Sequence, residues 1–142
     1  MTPMEHDTDE FLTSLSDTTT LKHGTRLSRP IQWIKAALKE FQTFPREAQL
    51  ICLRALTIAG EGDKADIAKP MKGFGPGVFE VALPHRGDAF RVVYALQIDE
   101  ALWVVHAFQK KSTRGIKTPK HQIDLIAARI KRLKQIAKET RE

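Results

Sequence analysis

Four side chains able to handle a phosphate and a proton, Arg91, His106, Lys110 and Lys111, stand in a stretch that otherwise carries apolar residues at strand spacing. A guanidinium grips two phosphate oxygens with its planar fork. Lysine ammonium groups add positive charge and can exchange protons, and an imidazole titrates near neutrality, so it can serve as base or acid. This set suits cleavage of an RNA phosphodiester. RNA brings its own nucleophile, the ribose 2′-hydroxyl, so the reaction needs a base, cations for the crowded phosphate and an acid for the 5′-oxygen, but no Ser, Cys or metal. Glu80 is the natural partner to orient Arg91. Each residue also has a structural reading: Arg91 with Glu80 as an ion pair across a sheet, and His106 as a hydrogen-bonded core histidine.

The cations are segregated. Residues 110 to 138 hold ten Lys/Arg (Lys110, Lys111, Arg114, Lys117, Lys120, Arg129, Lys131, Arg132, Lys134, Lys138) against one acid, Asp124, a local charge of +9 that exceeds the whole-chain +6. Polyanion binding requires such a footprint, because each phosphate neutralised releases counterions. Lys117, Lys120 and Arg114 are candidate RNA contacts within the tract, and Lys72 is one outside it. A solvated charge run is the plainer reading of the same residues. Gly73-Phe74-Gly75-Pro76-Gly77 is no phosphate loop, since the lysine and hydroxyl of that motif are missing and a strand follows. His85 and His121 show no ligand spacing, and no metal or other cofactor is implied.

These residues need a scaffold of modest size. At 142 residues the chain reads as one domain. No apolar run approaches the ~18 to 20 residues of a membrane span, which points to a cytoplasmic protein with no membrane partner. Cys52 is the only cysteine and lies in Leu50-Ile51-Cys52-Leu53, so it reads as a small buried hydrophobe. Residues 1–28 are expected to be an acidic, flexible leader, with five acids before the first Lys or Arg. The globular domain is expected over 29–142.

Within it, Ile31 to Ile34 reads as a short strand and Lys35 to Phe41 as a helical turn or two. Thr43-Phe44-Pro45 opens a long helix carrying Ala48, Ile51, Cys52, Ala55 and Ile58 up to Gly60. Lys69 to Gly77 reads as a turn-rich connection. Three strands follow, Val78 to Leu83, Ala89 to Leu96 and Ala101 to Phe108. Apolar alternation sets Leu83 opposite Phe90, and a tight turn at Ile98-Asp99 would set Leu96 opposite Ala101 and Arg91 opposite His106. Glu80, Arg91, His106 and Lys110 then share one face, and Tyr94 falls on the other. Thr118 is expected to cap a final helix that begins at Pro119. Its stripe of Ile123, Ile126, Ala127, Ile130, Leu133 and Ala137 faces the sheet, with the basic residues mainly outward.

The ordered set Lys69-Pro70-Met71-Lys72-Gly73-Phe74-Gly75, Val78-Phe79-Glu80-Val81, Phe90-Arg91-Val92-Val93-Tyr94, His106-Ala107-Phe108-Gln109-Lys110-Lys111 and Lys117-Thr118-Pro119 resembles the RelE/ParE superfamily of bacterial toxins, in its HigB-like, phage-derived branch. The resemblance covers roughly Pro30 to Lys138. It implies a compact α+β fold with two N-terminal helices, a central antiparallel sheet and a C-terminal helix. It also implies the toxin of a type II toxin–antitoxin system, an endoribonuclease cutting messenger RNA on the ribosome and neutralised by a small helix-turn-helix antitoxin. Tyr94 joins the candidates here, because tyrosines often serve at the site in ribosome-dependent members. ParE-like members are understood to poison DNA gyrase instead, and a non-catalytic basic nucleic-acid-binding protein is a third reading. The cluster of Arg91, His106, Lys110 and Lys111 favours cleavage.

Overall fold

The computed structural model describes residues 11–14, 28–111 and 117–141. In chain order the elements are β1 (Leu12–Ser14), β2 (Ile31–Ile34), α1 (Lys35–Phe41), α2 (Arg46–Gly60), β3 (Ala68–Pro70), β4 (Val78–His85), β5 (Asp88–Ala95), β6 (Leu102–Lys110) and α3 (Lys120–Arg141). They form an α+β fold around one six-stranded sheet, ordered β1-β2-β6-β5-β4-β3.

The sheet is mixed where an antiparallel one was expected. Strand β2 lies parallel to β6, with Ile31 beside Leu102, while every other pair is antiparallel. A parallel neighbour needs a long crossover, and α1 through β5 supply it. Two strands were not anticipated. Ala68–Pro70, which runs into the turn-rich connection, pairs with β4 as an edge strand, a place in a sheet where proline is tolerated. Residues Leu12–Ser14 of the leader pair with β2 at the other edge, and Phe11 lies under the Arg132 guanidinium, 5.2 Å from ring centroid to Cζ.

The β4–β5 hairpin has the expected register, Leu83 opposite Phe90. Its two-residue turn, Arg86-Gly87, has positive φ at both positions, 53° and 87°, as a turn matched to the twist of the strands requires. The β5–β6 register departs from expectation. Next to the turn Ala95 faces Trp103, one residue off the expected pairing, because Asp99 takes φ 56° in a longer loop. A bulge between the Val93 and Tyr94 pairings adds a second one-residue shift, so Arg91 faces Phe108 and His106 faces Val93. Two single shifts restore parity. Glu80, Arg91, His106 and Lys110 therefore share a face as expected, though not the expected partners.

Helices α1 and α2 cover the opposite face. Their apolar residues Ala37, Phe41, Ala48, Cys52, Ala55, Leu56 and Ala59 are all buried. A chain of rings runs through this core, Trp33 to Phe41 at 5.0 Å, Phe41 to Phe44 at 5.4 Å and Phe44 to Phe90 at 4.7 Å. Helix α3 lies across the face that carries Arg91. Ile126, Ile130, Leu133 and Ala137 of its stripe are buried and Ile123 is partly so, but Ala127 is exposed.

Candidate functional site

Arg91 and His106 are the buried basic side chains among the described residues, and both lie on the face beneath α3. Each is held by a separate polar cluster that ties the helix to the sheet.

The first cluster is Glu80, Arg91 and Thr118. In the β4–β5 register Glu80 sits opposite Val93 and Arg91 opposite Ala82, so the two are diagonal neighbours. Arg91 Nη1 donates to Glu80 Oε1 at 3.2 Å and to Thr118 Oγ1 at 3.3 Å. The Thr118 hydroxyl donates in turn to Glu80 Oε2 at 2.8 Å. The hydroxyl is thus spent on the sheet and not on capping α3, which begins two residues later. Side-chain exposure of Arg91 and Glu80 is 8% and 16%, so the ion pair is screened little by water.

The second cluster is His106, Gln122 and Arg129. Arg129 Nη1 donates to the Val105 carbonyl at 3.0 Å and to His106 Nδ1 at 2.9 Å. A guanidinium can only donate, so Nδ1 must be unprotonated, and Nε2 carries the hydrogen it gives to Gln122 Oε1. The other end of Gln122, Nε2, donates to His121 Nε2 at 3.3 Å. The His106 ring also stacks on Phe108, 5.2 Å between centroids. Burial pushes His106 below the usual histidine range; the Gln122 hydrogen bond opposes this in part, and the Arg129 and His121 charges add to it. Burial likewise lowers Arg129. His106 is a neutral histidine with both nitrogens engaged.

The structure separates the remaining candidates. Lys110, half-buried at the end of β6, is on Arg91's face and pairs with Ala89, while Lys111, next along the chain, and Lys117, beside Thr118, are exposed. Lys110 thus lies two residues along β6 from Phe108, the partner of Arg91, and Lys117 directly precedes Thr118. Tyr94 does not join them. It is 1% exposed on the other face, stacked on Phe79 at 5.3 Å, and burial pushes its hydroxyl up to about 12. Lys120 is exposed and ion-paired to Asp124 at 3.2 Å, and Lys72 is exposed in the loop between β3 and β4. Arg114 lies outside the described residues. No group of three or more His, Cys, Asp or Glu able to hold a metal occurs among the described residues.

Sequence reasoning passed over Gln122 and Arg129 as parts of a site and took Arg129 for one of the outward cations. The signal was present. Gln122, Ile126, Arg129 and Leu133 recur at helical spacing, so both polar residues fall on the buried stripe.

The family described as phage derived protein Gp49-like (DUF891) matches residues 39–131, about two-thirds of the chain, from α1 through the first half of α3. No curated protein matches. Among solved structures, the Escherichia coli toxin RelE, as a double arginine-to-alanine mutant in the free state, is similar with a TM-score of 0.52 and 16% identity. The likeness covers 74% of this chain and 97% of that one, and at this identity it speaks for the fold. The sheet, its two helical layers and the matched span together place the chain: it belongs to the phage-derived Gp49-like family, a RelE-like toxin family, and has the RelE fold.

Proposed function

We propose that the protein is the toxin of a type II toxin–antitoxin pair and acts as a metal-independent endoribonuclease on messenger RNA at the ribosome, held in check by a helix-turn-helix antitoxin. The observation that carries the reading is the largely buried Glu80–Arg91–Thr118 cluster on the sheet, with Lys117 next to Thr118 and Lys110 and Lys111 at the end of the neighbouring strand. Side chains anchored on strands hold their geometry better than those on loops. The cluster therefore fixes the chain at 117–118 against β4 and β5, and with it one flank of the cationic surface.

In this reading the lysines meet the scissile phosphate. A deprotonated one takes the 2′-hydroxyl proton as that oxygen attacks phosphorus, the others stabilise the developing charge, and a protonated one gives the proton that the 5′-oxygen needs as it leaves. Arg91 contributes from beneath, as the buried cation that Glu80 and Thr118 hold in place. His106 takes no proton from the ribose, because its basic nitrogen already accepts from Arg129. Tyr94 belongs to the core.

The test is a translating extract with a defined transcript. Purified protein should produce discrete cuts, and Lys110→Ala with Lys111→Ala and Lys117→Ala should lose them by on the order of 10²-fold or more while melting normally. Supercoiling inhibition with intact transcripts would replace this reading by a gyrase-directed one, and salt-sensitive RNA binding with neither effect would leave a binding protein.

A further inference from the structure

We propose that His106, Gln122 and Arg129 form a proton-operated pin that fixes the N-terminal half of α3 on the sheet, making Gln122 and Arg129 positioning residues for the segment that carries Lys117 and Thr118. The argument begins with geometry. In the first three turns of α3, Gln122 and Arg129 reach the sheet through side-chain hydrogen bonds that end on β6 at Val105 and His106. Just ahead of the helix, Thr118 makes the remaining tie, to Glu80 and Arg91. The position of Lys117 is thus set by the tie at Thr118 and by those along the helix that follows.

The pin depends on one unprotonated lone pair, that of His106 Nδ1. Arg129 can hold Nδ1 only while Nδ1 is unprotonated. A second proton on the ring would turn that nitrogen into a donor facing a guanidinium donor 2.9 Å away, two like charges in a half-buried setting. Arg129 has no carboxylate to fall back on among its contacts, which are the Val105 carbonyl and this nitrogen. Separation is the relaxation left open, and Arg129 moves with α3. The bond from Nε2 to Gln122 survives protonation, so it acts as the hinge about which the helix end yields.

The charged surroundings do not rescue the imidazolium. From α3 the ring is faced by Arg129 and by His121, both unfavourable to a charge on it. From β5 the nearest charged group on this face is Arg91, and on β6 it is Lys110. Glu80 on β4 lies in the same transverse row but beyond Val93, and it is already engaged by Arg91 and Thr118. With the folded-state midpoint depressed, the neutral pin is fully formed above the ordinary histidine value of about 6.5 and is lost as pH falls below it toward the depressed midpoint.

The experiment uses the full chain without RNA. Imidazole nitrogen shifts followed from pH 8 to 4.5 should show His106 as the Nε2–H tautomer and titrating below the ordinary histidine value. Amide protection in the first turns of α3, corrected for intrinsic exchange, should fall roughly tenfold or more with the same midpoint. Arg129→Gln should move that midpoint upward, and Arg129→Lys should leave it depressed. An Nδ1–H tautomer, or α3 protection that ignores the His106 titration, overturns the proposal. Should Arg129→Gln fail to fold, Gln122→Leu serves, and it should lower the midpoint further because it removes the acceptor that favours the charged ring. The activity consequence, a loss of cleavage on the same acid limb, rests on the ribonuclease reading. Cleavage that fails at every pH while α3 follows His106 refutes that reading and keeps the pin; cleavage intact with α3 indifferent to His106 does the reverse.

Discussion

Removing Arg91 should unfold the protein more readily than its place beside an active surface would suggest. From the sequence alone Arg91→Ala reads as a change at a site edge that spares the fold. In the structure the guanidinium is 8% exposed and its loss strands the Glu80 carboxylate, 16% exposed, with only the Thr118 hydroxyl for company. Breaking one side of a buried pair typically costs about 3 to 5 kcal/mol, and the slight exposure of Glu80 favours the lower end, about 3 kcal/mol. For a chain of this size that is a fall of roughly 10 °C in Tm. The cost lies mainly in the orphaned charge, so Arg91→Met combined with Glu80→Gln should recover most of it, to within about 1 to 2 kcal/mol of the parent. Urea titrations of the parent, both single variants and the double variant complete the cycle. An Arg91→Ala protein melting within about 2 °C of the parent, or a double variant no better than Arg91→Ala, would show that the pair is not what holds this end of the sheet. Activity should fall in both, since both lack the buried cation, but less in the double variant, because its fold recovers while the lysines remain.

Further outcomes can be set beside this one. Thr118→Val, which keeps the shape and loses the hydroxyl, should cost about 1 kcal/mol in a denaturant titration and slow cleavage more than it weakens folding, since it frees the segment bearing Lys117. RNA affinity should fall with salt at a log–log slope of roughly −3 to −4, if about four to six cations touch phosphate, and Lys110→Ala with Lys111→Ala should flatten it by about one unit; an unchanged slope in the double variant would mark the tract as a solvated face. Burial pushes the Cys52 thiol up to about 12, so at pH 8 the thiolate fraction is on the order of 10⁻⁴. A thiol reagent should leave the native protein unlabelled and modify one group on unfolding. Phe11→Ala removes the ring beneath Arg132 and should lower Tm by roughly 2 to 4 °C; no change would mean that the residues around β1 contribute nothing to holding α3.

Local rules read from the residues reach a definite distance into this protein. Periodicity and turn chemistry place β2, α1, α2, the β4–β5 hairpin and α3, because each is set by which residues lie three, four or two positions apart. The segregation of charge into the tract from 110 to 138 is likewise a property of the chain itself. Phe90, Val92 and Tyr94 alternate with Arg91 and Val93, so the burial of Tyr94 away from the lysines was also legible, and only the family resemblance drew it toward the site. What the chain could not announce was pairing over distance. The parallel β2–β6 contact and the strands at Leu12–Ser14 and Ala68–Pro70 arise from neighbours far away in sequence, against which such short segments carry no periodic signal of their own. The bulge in β6 belongs to the same class. With the one-residue shift at the turn alone, Ala107 would have faced Arg91 and His106 would have pointed into the other core. The bulge adds the second shift, brings His106, Phe108 and Lys110 onto Arg91's face, and leaves α3 to supply Thr118, Gln122 and Arg129. Residue types thus determined which chemistry was available, and tertiary packing decided which groups are buried, paired and neutral, because desolvation and hydrogen-bond partners exist only once two distant segments have met.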